Sequence, residues 1–194
     1  AGQHPTYHLL NEIRLAQLRD EQILINACRG EVIDNQSLLS LKQAGKATKV
    51  VLDVWEGEPN VLDGLLPYIE IATAHIAGYS LEGKARGTEM LYQQLCRQLG
   101  RPIEKKLSDF LPKAPIDNVK IQAKVDSQVI SQLVKFVYDV RRDDGIFRQQ
   151  LAAQGFDHIR KSYPVRREFS AVKLELATKI DDDTLYQLGF SKKP

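Results

Sequence analysis

Three short apolar runs within residues 22–78, each opening into a polar loop, restrict the fold more than any other feature of the chain. "QILIN", "KVVLDVW" and the start of "YIEIATAHIAG" have the length of strands. They are continuous rather than alternating, the pattern of strands buried on both faces of a parallel sheet. The third is predicted over Ile69 to Ala72. Helical segments lie between and around them. "NEIRLAQLRDE" reads as a short helix capped by Asn11, and "NQSLLSLKQAG" as a helix with Asn35 as cap and Gly45 as stop. "SLEGKARGTEMLYQQLCRQLG" is a long amphipathic helix closed by Gly100 and Pro102. Strands and helices alternating at short spacing predict an α/β fold with a parallel sheet and right-handed crossovers.

The character changes after about residue 102. "RPIEKKLSDFLPKAP" reads as an ordered, proline-rich linker on the surface. "VKIQAKVD" and "SAVKLELA" alternate like half-exposed strands. Between them, "SQVISQLVKFVYDVRRDDGIFRQQLAAQG" is one or two helices with Ser127 as cap, and "FDHIRKSYPVRREF" reads as a basic turn. "DDDTLYQLGF" is a short closing helix. The expected division is therefore 1–102, an α/β portion, and 103–194, a small α+β domain. The latter is small for an independent core and is expected to pack against something else, with a second copy of the chain as the candidate.

Composition narrows the function classes. With 43% hydrophobic and 27% charged residues, the 194-residue chain has the make-up of a soluble globular protein. A net charge of +2 gives no reason to expect a nucleic-acid partner, and no apolar run approaches a membrane span. Its two cysteines, Cys28 and Cys96, have no metal-ligand spacing, so the simplest expectation is reduced thiols in a cytoplasmic protein. The chain opens "AGQHPTYHLL" and reads as part of a longer polypeptide.

In an open α/β sheet, ligands collect beyond the carboxyl ends of the strands. Arg29 follows the first run, Asp53 to Glu58 the second, and His75 the third. An arginine, a carboxylate and a histidine converging there suit one small anionic molecule. The guanidinium forks onto a carboxylate, the histidine moves a proton, and the glutamate holds the ring. Taken singly, each has an ordinary explanation: a surface ion pair, a loop histidine, an acidic turn before a proline.

"INACRGEVIDNQSLL", "VVLDVWEGEP" and "TAHIAGYSLEGKARG" resemble the cofactor-domain signatures of the D-isomer-specific 2-hydroxyacid dehydrogenases. The resemblance implies a fold made of the second half of a Rossmann-like NAD-binding domain, followed by a small α+β dimerisation domain. It implies NAD as cofactor, a small phosphorylated hydroxy acid as substrate, and a homodimer. It also implies roles for individual residues. Arg29 would bind the substrate carboxylate, and Glu58 would pair with His75, the acid/base. Asp53 would meet the nicotinamide amide, with Ala27, Cys28, Arg29 and Gly78 lining the cofactor and Tyr79 contacting substrate. Cys28 and Ala74 depart from the residues usual at their positions. The thiol is expected to pack as a small hydrophobe, and the loop before His75 to be less rigid than one with proline.

One element of such a fold is missing from the sequence. No G-x-G-x-x-G phosphate-binding turn occurs in the 194 residues. The chain alone is therefore expected neither to bind NAD tightly nor to turn over. Two other readings stay open, a different member of the same family and a non-catalytic dimerisation or regulatory module. The basic residues Arg160, Lys161, Arg166 and Arg167 are read first as forming ion pairs, with the substrate phosphate as the alternative.

Overall fold

A computed structural model describes residues 2–122, 124–177 and 183–192. In chain order the elements are α1 (Glu12–Ala16), β1 (Ile23–Asn26), α2 (Asn35–Gln43), β2 (Lys49–Leu52), β3 (Ile71–Ala72), α3 (Leu81–Gln98), β4 (Asn118–Ile121), α4 (Ser127–Val137), α5 (Arg141–Gln154), α6 (Phe156–Ser162), β5 (Lys173–Leu176), α7 (Thr184–Gln187) and β6 (Ser191–Lys192). They form two compact units, residues 1–77 with 140–164, and residues 78–139 with 165–194.

The first unit is built on the parallel sheet β1-β2-β3. Its register explains which side chains are buried. Leu24 stands beside Val50, Asn26 beside Leu52, and Leu52 beside Ala72. This face meets Leu15, Ile33, Leu38, Leu39, Trp55 and Leu65 in one core. Complete burial of a Val50 or a Leu52 contributes about 1.5–3 kcal/mol each. The opposite face carries Ile23 and Ile25, which are 62% and 66% exposed. The expected burial of "QILIN" on both faces is thus not observed. β1 is an edge strand whose outer face has no covering layer among the described residues.

The two edges of this sheet differ. At β3, helix α5 closes the edge: Asp144 accepts the Ala72 N–H at 2.7 Å. Arg148 pairs with Asp144 and donates to the carbonyls of Leu66 and Ile69. Phe147, fully buried on α5, stacks on Trp55 and meets Phe156 of α6 edge-on.

The second unit holds the parallel sheet β4-β5-β6 and its own core of Ile121, Val125, Leu133, Val172, Leu174, Leu185 and Phe190. The N-terminus of α3 is fixed to residues 166–168. Ser80 caps the helix and donates to Glu168, Leu81 N–H donates to the Arg166 carbonyl, and buried Glu82 pairs with Arg167 at 2.6 Å. Arg167 is thereby engaged in an ion pair, the first reading given to the basic residues.

Four local expectations are corrected. Asp34, not Asn35, caps α2, accepting from Ser37 N–H at 2.9 Å; Asn35 is the first helical residue and its amide serves the loops. In the same way Asp126, not Ser127, caps α4. The third strand shortens to Ile71–Ala72 because a 3-10 turn occupies Asp63–Tyr68. "FDHIRKS" is helix α6 rather than a turn, because Phe156 and Ile159, three apart, bury the same face. Asn11 and Gly45 act as expected, the latter at φ +96°.

Candidate active site

The three loops beyond the carboxyl ends of β1, β2 and β3 lie side by side, since adjacent strands are about 4.8 Å apart. His75 leaves β3 at φ +54°, an uncommon conformation for a residue with a side chain. Its Nδ1 lies 2.8 Å from Glu58 Oε2, both side chains about one-fifth exposed. A carboxylate can only accept, so the proton of a neutral imidazole sits on Nδ1. Nε2 is then the acceptor, and no group among the described residues bonds it. The other oxygen of Glu58 accepts the Trp55 N–H at 2.8 Å, which fixes the carboxylate from its own loop. Trp55 is itself anchored, its Nε1–H donating to the Thr73 carbonyl.

Asp53 is the centre of this arrangement. It is 7% exposed and accepts three hydrogen bonds: from Thr73 Oγ1 at 2.6 Å, Ile76 N–H at 2.8 Å and Ala77 N–H at 2.9 Å. Its main-chain carbonyl accepts the His75 N–H at 2.7 Å. One aspartate therefore clamps the whole loop that carries the histidine. The looseness expected from Ala74 is not observed: Ala74 is buried and the loop around it is pinned.

Arg29 is exposed and makes no ion pair among the described residues, its guanidinium donating to the Cys28 carbonyl. An ordinary surface salt bridge does not account for it. Its backbone is shaped by Asn26, 4% exposed, whose amide donates to the Arg29 carbonyl and accepts from Cys28 N–H. The Cys28 thiol is exposed and donates to the same Asn26 oxygen at 3.0 Å. It does not pack as a hydrophobe. Gly30 follows, so close to the next loop that a Cβ there would stand 2.0 Å from the Trp55 carbonyl carbon. The Arg29 loop and the Glu58 loop are in direct backbone contact.

Residues 2–77 match the family described as "D-isomer specific 2-hydroxyacid dehydrogenase, NAD binding domain". The chain is 61% identical over 191 residues to erythronate-4-phosphate dehydrogenase of Colwellia psychrerythraea, covering 98% of this chain and 49% of that protein. Residues 2–77 are thus similar to the NAD-binding domain of the D-isomer-specific 2-hydroxyacid dehydrogenases. Its counterpart in Shewanella oneidensis is 52% identical, with 98% of this chain and 51% of the relative covered. Among solved structures, apo D-mandelate dehydrogenase of Rhodotorula graminis is 27% identical over 54% of this chain and 32% of that one, at a TM-score of 0.45. The chain spans about half the length of the curated relatives it matches. Residues 110–189 match a domain of unknown function (DUF3410).

The dehydrogenase segment 2–77 contains Ala27, Cys28, Arg29, Asp53, Glu58 and His75. For a nicotinamide cofactor, the chain offers the exposed residues Ala27 and Cys28 beyond a parallel strand, where such ligands settle. Gly78 and Tyr79 fall in the second unit. Gly78 has φ +76° with open space around it, and Tyr79 is 41% exposed beneath the Lys84 ammonium. Sequence reading had singled out neither Asn26 nor Thr73. A polar residue ending an apolar strand is the signal for both, since a buried amide or hydroxyl needs its partners close by.

Proposed function

We propose that this chain is part of an enzyme that oxidises the C2 hydroxyl of 4-phospho-D-erythronate to the 2-oxo acid with NAD, a step of pyridoxine biosynthesis. The observation that carries this reading is the His75–Glu58 contact, with Nδ1 held and Nε2 left open. In the reaction, Nε2 takes the hydroxyl proton, giving an imidazolium whose Nδ1–H is stabilised by the Glu58 carboxylate. NAD, when bound, accepts the hydride that leaves C2. The Arg29 guanidinium forks onto the substrate carboxylate and polarises the forming ketone. Asp53 holds the His75 loop and presents its remaining lone pairs to the carboxamide of the cofactor. Ala27, Cys28 and Gly78 line the cofactor, and Tyr79 contacts the substrate. The choice of substrate is supported by the high identity to relatives named erythronate-4-phosphate dehydrogenase.

We also propose that the polypeptide divides near residue 102 as a unit of sequence, although residues 140–164 fold with the first compact unit and 78–102 with the second, and that the part after 102 dimerises. The matched ranges 2–77 and 110–189 support a boundary between them. In support of a second copy, β4 is a sheet edge beside an open groove lined by Val119, Val129 and Phe136. A cytoplasmic location accompanies this reading, and among the described residues no helix is long and apolar enough to cross a membrane.

The test is made in the full-length protein. His75→Gln is expected to lower kcat by about 10²–10⁴-fold while NAD still binds. An unchanged rate removes His75 from the reaction. Preference for phosphoglycerate over 4-phospho-D-erythronate would favour a different member of the family. Calorimetric titration of NAD into the 194-residue chain alone is expected to show no micromolar binding, since its sequence contains no G-x-G-x-x-G phosphate-binding turn.

A further inference from the structure

Two residues with no place in the reaction join the loops that carry it. Glu56 lies two positions before Glu58. Its Oε2 accepts the Asn35 N–H at 3.0 Å, and the Glu56 N–H returns to Asn35 Oδ1 at 3.4 Å. Its Oε1 meets His8 Nε2 at 2.5 Å. His8 N–H donates to the Glu31 carbonyl, Leu10 N–H to that of Val32, and Asp34 N–H to that of Leu10. The segment around His8 is therefore stitched along residues 31–34, directly after Arg29 and Gly30. Its imidazole then crosses to the loop of Glu58.

His8 has φ +47°, and His75 is the one other residue besides glycine with positive φ among those described. Such a conformation persists where surrounding contacts over-determine it. The Tyr7 ring stacks on His8 at 4.0 Å, and Asp34 Oδ2 lies 3.7 Å from Nδ1. The ligand-type atoms of His8, Asp34 and Glu56 lie within 4.8 Å of one another. Asp34 and Glu56 already accept from Ser37 and Asn35, which suits a tether better than a cation site.

We propose that Glu56 and His8 are positioning residues that fix the Arg29 loop against the Glu58 loop. They set the separation between the carboxylate-binding guanidinium and the imidazole that moves the proton. The inference rests on the reaction proposed above. Substrate held at one end by Arg29 and deprotonated at the other by His75 senses any slip between the two loops. Displacement of reacting groups by about 1 Å costs up to about 100-fold in rate.

The experiment uses the full-length protein with 4-phospho-D-erythronate and NAD. Glu56→Ala is expected to raise KM for the hydroxy acid about tenfold and lower kcat about tenfold, with KM for NAD unchanged within about twofold. Glu56→Gln keeps an acceptor for Asn35 and a group to face His8, and is expected within about threefold of wild type. His8→Asn, which tolerates positive φ and keeps a donor, should outperform His8→Ala. A fall in kcat alone, matching a loss of folded protein with KM unchanged, overturns the proposal. So does Glu56→Ala with wild-type constants. A second readout needs no turnover: the Arg29 Nε–H and His75 ring resonances should shift in Glu56→Ala and return in Glu56→Gln. If wild type fails to oxidise the acid, the proposed function falls and the resonances alone decide the tether. Unmoved resonances then overturn it.

Discussion

Asp53→Asn distinguishes a carboxylate that clamps a loop from one reserved for a ligand. In the structure its oxygens accept Thr73 Oγ1–H and the N–H groups of Ile76 and Ala77, all within 2.6–2.9 Å. Hydrogen bonds to a charged group contribute about 1.5–3 kcal/mol against about 1 for neutral pairs. An asparagine oriented to keep Thr73 and Ile76 retains two bonds in weaker, neutral form. Its NH₂ then points at the Ala77 N–H, leaving that donor unsatisfied at about 1–3 kcal/mol. Relief from burying a charge offsets part of this, so the net loss is about 3 kcal/mol, or about 6–12 °C in Tm for a chain of this size. Urea denaturation of the full chain measures it, with Thr73→Val, which removes one donor, expected at about a third to a half of the effect. Activity of the full-length protein should fall mainly in kcat, because the loop that moves carries His75. Stability within about 0.5 kcal/mol of wild type, with NAD affinity alone reduced, would refute the clamp.

Gly30→Ala should destabilise the chain by about 3 kcal/mol or more, because the new methyl overlaps the Trp55 and Glu56 backbone and neither loop is free to withdraw. Gly87→Ala on α3, where a Cβ meets nothing within 4 Å, should instead stabilise by about 0.5–1 kcal/mol, and denaturant midpoints of the two variants check the contrast. For Asp34, burial raises the carboxyl pKa, but the Ser37 hydrogen bonds and the nearby His8 outweigh it and the net shift is downward from 3.8. A depressed folded pKa adds stability that is present above pH 3.8 and is lost as pH falls through the lower value. Asp34→Asn keeps a capping acceptor and should be less stable than wild type at neutral pH, the two converging in acid titrations of the unfolding midpoint.

The parallel sheet was legible because a strand between two crossovers needs apolar residues in a continuous run. What the runs did not reveal is which face another layer covers. Ile25 and Leu24 look alike in sequence, yet the register places Leu24 with Val50 in the core and leaves Ile25 exposed. Caps were misplaced by one residue where two eligible side chains adjoin, Asp34–Asn35 and Asp126–Ser127. At the first of these the choice is made by Glu56, whose carboxylate takes the Asn35 N–H from 21 positions away. Helix α6 was readable from the three-residue spacing of Phe156 and Ile159, but the segment was read as a basic turn.

The site divides along a similar line. Arg29, Glu58 and His75 stood out in the sequence because the proposed proton transfer and carboxylate binding demand particular side chains at strand ends. The residues that hold them did not, because their work is hydrogen bonding to backbone, which many side chains can do. Asp53 was marked for the cofactor, yet its geometry is first that of a clamp on residues 73–77. His8 carried no signal at all: its partner Glu56 is 48 positions on, and only the paired segments 8–10 and 31–34 bring them together. A reacting group can be chosen by its own chemistry, but its precision is set by neighbours distant in sequence. Substitutions at Glu56 and His8 should therefore spare folding more than they spare catalysis, the reverse of the order expected for Val50 or Leu52 in the core.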